Sequence, residues 1–167
     1  MCGIIAIYNV IKNLLIYQDA LNSLNKLQNR GRESYGLSYI IDNNIKLYKK
    51  LGLVEFNFHE IKPTNLLIGH VRYSTSGSKD NLDLAQPFIT DDIALVHNGN
   101  IPHLKKLQKE HNIYTDNDSL FIIELIKKYG LNWDILHSIK GVYCLIIMTK
   151  DCIYAMRDIY GYRPLCI

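Results

Sequence analysis

The sequence lacks any long apolar run, and it lacks a targeting segment at its start. No stretch approaches the roughly 20 consecutive apolar residues that a membrane-spanning helix requires. The N-terminus has no basic segment ahead of an apolar stretch and no cleavage site, so it does not look like a signal peptide. The 167 residues are 48% hydrophobic and 21% charged, which is ordinary for a globular protein. We therefore predict one cytoplasmic domain with no membrane partner.

Cysteine is scarce, and neither sign of charge dominates. Cys2, Cys144, Cys152 and Cys166 form no C-x-x-C pair and no Cys/His cluster with metal-ligand spacing. Cys144 and Cys152 could face each other across a hairpin, but intracellular proteins rarely keep disulfides. We expect the three cysteines other than Cys2 to be small core side chains. The net charge of +3 is too weak and too dispersed to indicate a nucleic-acid partner, so neither a metal site nor such a partner is predicted.

Cys2 follows the initiator methionine directly and precedes an apolar run. Removal of Met1 would leave a thiol and a free α-amine on one Cα, and such an amine has an unperturbed pKa of about 7.7–8. A nucleophile activated by its own terminal amine is an established catalytic arrangement. Ile4, Ile5 and Ile7 predict a buried strand that would hold this terminus rigid. The alternative is an ordinary strand whose second residue happens to be cysteine.

The hydrophobic periodicity predicts an α+β domain rather than alternating βαβ units. Helices are predicted over residues 15–28, 101–111, 119–129 and 133–139. Strands are predicted over residues 37–41, 45–51, 65–71, 93–96, 142–149 and 153–157. Several of these strands form hairpins, so two packed sheets with helices on their outer faces would fit the pattern.

Arginines occur at two points where the periodicity stops. Arg30 and Gly31 lie in a segment that suits a structured loop, although a helix C-cap at Gly31 is an equal alternative. Arg72 ends a predicted strand and is followed by hydroxyl side chains, including Thr75. An arginine fork matches a carboxylate geometrically, so this is a candidate carboxylate site, with a polar turn and a surface arginine as the alternative.

Two further candidate positions lie in the second half of the chain. His97, Asn98 and Gly99 follow a short predicted strand, where Asn-Gly indicates a tight turn. The functional alternative is an oxyanion hole made by the Asn98 amide and the Gly99 backbone N–H. Asp118 ends an acidic stretch before a predicted helix. It is better explained as a helix N-cap, although it could instead reach into a site.

Taken together, these segments resemble the glutaminase domain of class II glutamine amidotransferases, in the N-terminal-nucleophile hydrolase superfamily. The matching motifs occur in family order along nearly the whole chain: MCGI at 1–4, LQNRGRESYG at 27–36, GHVRYSTSG at 69–77, AQPF at 85–88, HNGN at 97–100, TDNDS at 115–119 and RDIYGYRPL at 157–165. The AQPF and RDIYGYRPL motifs look most like amidophosphoribosyltransferases. Glucosamine-6-phosphate synthases share the other motifs.

The resemblance implies a four-layer αββα sandwich and a role for each matched residue. Cys2 would be the nucleophile and its α-amine the general base, with Asn98 and Gly99 as the oxyanion hole. Arg72 and Thr75 would bind the glutamine α-carboxylate, and Asp118 the α-amine. Arg30, Gly31 and His97 would support this site. No metal or organic cofactor is implied.

The chain departs from the family pattern in three ways. The family usually has Glu where this chain has Leu120, which removes a polar group beside Asp118. Met1, where retained, would block the amine of Cys2. Residues 1–167 also stop short of the family's last strands, so we expect an incomplete glutaminase domain that lacks a phosphoribosyltransferase domain.

The function that the resemblance implies is glutamine hydrolysis through a Cys2 thioester. It would be the ammonia-supplying half of an amidophosphoribosyltransferase-like enzyme of purine biosynthesis. Expected partners are glutamine and a missing synthase domain or chain, with a homo-oligomer as an option. The alternatives are a non-catalytic domain that binds glutamine or a partner, the glutaminase part of a glucosamine-6-phosphate synthase-like enzyme, and an amidohydrolase for another amide.

Overall fold

The chain was analysed as a computed structural model that describes residues 1–58, 60, 62–73 and 81–167. The first sheet is antiparallel, with strand order β1-β4-β2-β3. Its strands are β1 (Gly3–Asn13), β2 (Ser34–Ile41), β3 (Asn44–Leu51) and β4 (Thr64–Arg72). The strand β4 is central, because β1 pairs with one of its edges and β2 with the other. The residues that end β4 are therefore flanked on both sides.

The second sheet is also antiparallel, with strand order β5-β6-β7-β8. Its strands are β5 (Phe88–Ile89), β6 (Ala94–Asn100), β7 (Val142–Met148) and β8 (Ile153–Arg157). The β7–β8 hairpin agrees with the sequence prediction, and β6 extends four residues beyond the C-terminal end of the predicted strand.

The helices are α1 (Leu15–Lys26), α2 (Leu104–His111), α3 (Asp118–Tyr129) and α4 (Trp133–Ser138), and a 3-10 turn covers Leu82–Leu84. The side chains of Asn117 and Asn132 each accept a backbone N–H in the first turn of α3 and α4, respectively, as expected of asparagine at an N-cap. No helix in the described part of the chain is both long and apolar enough to cross a membrane.

Three apolar clusters divide the molecule into four layers. One cluster packs α1 against the first sheet, through side chains such as Leu21, Leu24 and Leu67. A second lies between the two sheets and contains Ile68, Val96 and Ile146. The third packs the other helices against the second sheet. The order of layers is therefore helix, sheet, sheet, helix, and the predicted αββα sandwich is confirmed.

The cysteines do not all lie where the sequence suggested. Cys144 is buried, but Cys152 and Cys166 are exposed, so the prediction of three core cysteines is wrong for these two. Cys144 lies opposite Arg157 in the β7–β8 pairing, and Cys152 lies in the turn before β8. The two therefore do not face each other across the hairpin, and all four cysteines are free thiols.

Candidate active site

The register of the first sheet places Cys2 beside the end of β4. Gly3 lies opposite Val71 in the antiparallel β1–β4 pair, so the residue before Gly3 reaches the end of β4. The Cys2 thiol donates to the Tyr73 carbonyl at a sulfur–oxygen distance of 3.6 Å. Arg30 Nε donates to the Cys2 carbonyl at 2.9 Å. Cys2 is thus held by a contact on its side chain and another on its backbone.

The Cys2 thiol is half-buried, and its environment favours the protonated form. Burial raises the pKa of this thiol, while the Tyr73 carbonyl contact, the N-terminal amine and Arg72 oppose that effect. A protonated thiol is a weak nucleophile, because the thiolate is the reactive form. Cys2 therefore needs a base nearby. In this structure Met1 precedes it, so its own nitrogen is part of a peptide bond.

Arg72 is buried rather than on the surface, so the surface-arginine alternative is wrong. It is the last residue of β4, pairs with Ser34 of β2, and is only 6% exposed. Its Nη1 lies 3.5 Å from Glu33 Oε2. Gly31 packs against the Arg72 backbone so closely that an added Cβ would lie 2.5 Å from the Arg72 carbonyl. Because α1 ends at Lys26 with Leu27 as its C-cap, the prediction of a cap at Gly31 is also wrong.

The segment His97-Asn98-Gly99 is strand, not turn. All three residues belong to β6 and pair with β7, with Asn98 opposite Cys144. Successive strand residues face opposite sides of a sheet, so His97 and Gly99 face one side and Asn98 the other. The tight-turn alternative is wrong because a partner strand more than forty residues away continues the pairing through Asn100.

Asp118 begins α3 but is not its N-cap, since Asn117 fills that position. Its Oδ2 accepts the Ile101 backbone N–H at 3.2 Å, and its Oδ1 lies 3.8 Å from His97 Nδ1. His97 is buried, and burial lowers the pKa of its imidazole. The ring is therefore neutral near pH 7, so it does not act as a cationic partner of Asp118.

A small cavity of about 50 Å³ joins several of these side chains, and we call it the thiol cavity. Its lining includes the predicted site residues Cys2, Arg72, His97, Gly99 and Asp118. Its other lining residues are Tyr73, Leu84, Gln86, Asn117 and Ser119. The thiol cavity thus brings together a thiol, a guanidinium, a carboxylate and a glycine near the end of β6. The residues that carry them are up to 116 positions apart in the sequence.

A second cavity of about 280 Å³ touches Cys2 from the other side. It is lined by Asn98 and Arg30 together with Gly3, Ile4, Leu27, Ile146, Pro164, Leu165 and Cys166. Asn98 therefore shares a cavity with Cys2 but not with Arg72 or Asp118. Thr75, the remaining predicted carboxylate contact, lies outside the described residues.

Five residues of the thiol cavity had no role in the site assigned from the sequence: Tyr73, Leu84, Gln86, Asn117 and Ser119. The AQPF motif contains Gln86 and the TDNDS motif contains Ser119. The motifs therefore pointed to both residues but did not indicate what either side chain does. Within the described ranges, no three His, Cys, Asp or Glu side chains come together as a group that could hold a metal ion.

Comparison with known proteins agrees with this geometry. Residues 70–167 match the protein family described as a glutamine amidotransferase domain. An amidophosphoribosyltransferase of Methanocaldococcus jannaschii is 36% identical and matches 100% of this chain. An amidophosphoribosyltransferase of Archaeoglobus fulgidus is 34% identical over the same share. The chain spans only 40% of the length of each of these relatives.

One similar solved structure is described as glutamine phosphoribosylpyrophosphate amidotransferase from B. subtilis, complexed with ADP and GMP. It superposes with a TM-score of 0.77 at 26% identity. The match covers 96% of this chain and 38% of that one. The fold similarity therefore extends over nearly all of this chain, including the N-terminal region that the family match does not reach.

Proposed function

Because the chain belongs to the glutamine amidotransferase domain family, we propose that it hydrolyses glutamine to glutamate and ammonia. The observation that carries this proposal is the thiol cavity, in which Cys2 meets Arg72, Gly99 and Asp118. An amino-acid amide offers each of them a partner. Its amide carbon suits the Cys2 thiol and its developing oxyanion suits Gly99. Its α-carboxylate and α-ammonium suit Arg72 and Asp118, respectively. An amide without the amino-acid end would leave Arg72 and Asp118 unused.

The reaction begins when the Cys2 sulfur attacks the side-chain amide carbon of glutamine. Once Met1 is removed, the α-amine of Cys2 accepts the thiol proton and later passes it to the departing nitrogen. Ammonia leaves, and a γ-glutamyl thioester remains on Cys2. Water then adds to the thioester, glutamate is released, and the thiol is restored. Burial of Cys2 raises the pKa of its thiol, which is why the nucleophile needs this base.

Charge on the tetrahedral intermediate is met by the end of β6. The Gly99 backbone N–H and the Asn98 side-chain amide are the proposed donors to the oxyanion. Gly99 approaches β7 closely, since an added Cβ would lie 2.6 Å from the Tyr143 Cα. This close contact holds the Gly99 backbone N–H in place, as a preorganised oxyanion donor requires. Preorganised donors of this kind are usually the largest single contribution to such reactions.

The amino-acid end of glutamine is held by the two charged residues of the thiol cavity. Arg72 would bind the α-carboxylate, with Thr75 as a further proposed contact, and Asp118 would bind the α-ammonium. Arg30, Gly31 and His97 support these groups through the contacts described above. The proposed reaction draws every chemical group from the protein, so it needs no metal or organic cofactor.

We further propose that all of residues 1–167 belong to this domain, and that the ammonia goes to a phosphoribosyltransferase domain or chain in cytoplasmic purine biosynthesis. The names of the relatives support the phosphoribosyltransferase part of this assignment. A second candidate is a non-catalytic glutamine-binding domain. Retention of Met1 in the native protein would favour this candidate, because it would keep the nitrogen of Cys2 in a peptide bond.

Replacing the nucleophile tests the proposal. Cys2→Ala should abolish glutamate release from glutamine, and Cys2→Ser should be nearly inactive because a hydroxyl is a poorer nucleophile than a thiol. Cys152→Ala is the matched control, since Cys152 is exposed in the β7–β8 turn, and it should keep the wild-type rate. Wild-type turnover by Cys2→Ala would refute the proposal. A wild-type protein that binds glutamine without turnover would support the non-catalytic candidate.

A further inference from the structure

Gln86 uses its whole side-chain amide inside the protein. The residue is only 6% exposed and lies between the 3-10 turn and β5. Its Oε1 accepts the His97 backbone N–H at 2.6 Å, and its Nε2 donates to the His97 carbonyl at 3.3 Å. The amide thus pairs with the backbone of β6 in the way that a neighbouring strand would.

The second N–H of the same amide reaches α3. Gln86 Nε2 donates to Ser119 Oγ at 3.1 Å, and this oxygen also lies 2.8 Å from His97 Nδ1 and 3.5 Å from Asp118 Oδ1. A hydroxyl accepts two hydrogen bonds and donates one. With the proton of neutral His97 assigned to Nδ1, the only donor left is the Ser119 hydroxyl, and it points to Asp118.

The backbone of Gln86 is fixed by the other sheet. Gly36 of β2 packs against the Gln86 carbonyl so closely that a Cβ on Gly36 would overlap it, and such a Cβ would lie 3.0 Å from Pro87 Cδ. Gln86 therefore touches β2 through its backbone, and β6 and α3 through its side chain. Two elements that carry proposed site residues, β6 and α3, therefore meet at this one glutamine, which itself lines the thiol cavity.

From these contacts we infer that Gln86 is a positioning residue for glutamine hydrolysis. Through His97 it sets the end of β6, which carries the oxyanion donors. Through Ser119 it orients the Asp118 carboxylate that receives the substrate ammonium. The inference rests on the proposed function, and it gives the AQPF motif a physical role.

Two variants separate the contact of Gln86 with β6 from its contact with α3. Gln86→Met keeps an unbranched side chain of similar length and removes all three hydrogen bonds of the Gln86 amide. Of these three, Ser119→Ala removes only the hydrogen bond to Ser119 in α3. Gln108→Met is the matched control, because Gln108 is also buried and donates to a backbone carbonyl, that of Thr115, at 2.7 Å. Each variant would be made in the full-length gene product and assayed for glutamate release, with melting temperature measured in parallel.

We expect Gln86→Met to lower kcat by about 10- to 100-fold, since a misplacement of about 1 Å at a reacting group can cost about 100-fold. Ser119→Ala should raise KM by about tenfold while kcat stays within about twofold, because Asp118 contacts substrate in ground and transition states alike. Gln108→Met should leave both constants within about twofold, even where its melting temperature falls as far as that of Gln86→Met.

The inference is overturned if Gln86→Met keeps kcat within about twofold of wild type, or if Gln108→Met loses as much activity. A wild-type protein with no turnover contradicts the proposed function instead. In that case calorimetric glutamine binding in a Cys2→Ala background decides the inference. Weaker binding by both Gln86→Met and Ser119→Ala, compared with Gln108→Met, supports it, and equal binding by all three refutes it.

Discussion

The two ends of β6 lead to cavities of different kinds. The C-terminal end reaches the thiol cavity of about 50 Å³. The N-terminal end reaches an open groove of about 880 Å³, which we call the far groove. It is lined by Asn44, Ile45, Ile89, Thr90, Asp91, Asp92, Ile93, Ile126, Lys127, Gly130 and Lys150.

Polar groups are held differently at these two ends. Around the thiol cavity, Arg72, Gln86 and His97 are each less than 7% exposed and are bonded to groups that are themselves buried or partly buried. In the far groove, Lys150 pairs with an Asp92 side chain that is 77% exposed. Water screens an exposed pair and lets it rearrange, whereas buried dipoles keep their direction during a reaction. Chemistry is therefore expected at the smaller cavity, and size alone would have chosen the wrong end.

The largest expected effect comes from blocking the amine beside the thiol cavity. An N-terminal extension that keeps the Cys2 nitrogen in a peptide bond should abolish glutamine hydrolysis while the thiol remains, because an amide nitrogen has no basic lone pair. Glutamate release and intact mass would be measured on the same sample.

The matched control for this experiment is a cleavable extension whose removal leaves Cys2 as the first residue. Its cleavage should restore activity. Wild-type turnover in a sample whose mass shows a fully retained extension would rule out the terminal amine as the base.

The next effect compares Asn98, near the C-terminal end of β6, with Asn44, which begins β3 and lines the far groove. Asn98→Ala should lower kcat by about 100- to 1,000-fold with little change in KM, as expected for loss of one oxyanion donor. Asn44→Ala in the far groove should change neither constant. Steady-state kinetics on both variants is the measurement, and an effect on KM alone for Asn98→Ala would assign this residue to substrate binding.

A smaller effect is expected from Arg72, the cationic side chain proposed to bind the substrate carboxylate. Arg72→Ala should raise KM by about 10- to 100-fold, because a hydrogen bond to a charged group contributes about 1.5–3 kcal/mol. The substrate α-carboxylate is remote from the scissile amide, so kcat should change less.

Lys150→Ala provides the comparison at the far groove, where its exposed pair contributes about 0–1 kcal/mol and no activity. Because Arg72 also faces the partly buried Glu33, thermal unfolding of Arg72→Ala separates lost binding from lost stability. A lowered kcat for Lys150→Ala would show that the far groove contributes to catalysis, and it would contradict the expectation that chemistry occurs only at the thiol cavity.

Local patterns in the sequence were enough for the elements whose signals are local. The α1 helix and the β2–β3 and β7–β8 hairpins follow from periodicity and from short-range hydrogen bonds. The order of the motifs was also sufficient to predict the family, and the placement of Cys2 behind Met1 was sufficient to propose a terminal nucleophile.

Burial and strand pairing between distant residues could not be read in this way. Arg72 looks like a surface residue until β1 and β2 enclose β4 from both sides. The sequence Asn98-Gly99 is typical of a turn, but in the structure it pairs with β7. His97 and Asn98 are neighbours in that strand, so their side chains lie on opposite faces of the sheet. The contacts of Gln86 could not be predicted from its neighbours in the sequence, because its three hydrogen bonds go to residues 11 and 33 positions away.

The sequence by itself determined the local elements and which chemical groups this protein carries. The tertiary structure decided which of those groups meet, because close packing of two sheets brings together strand ends that no local interaction connects. It also decided which polar groups lose water, and a buried dipole must then find a partner within the protein. That requirement joins Gln86, His97, Ser119 and Asp118 beside Cys2.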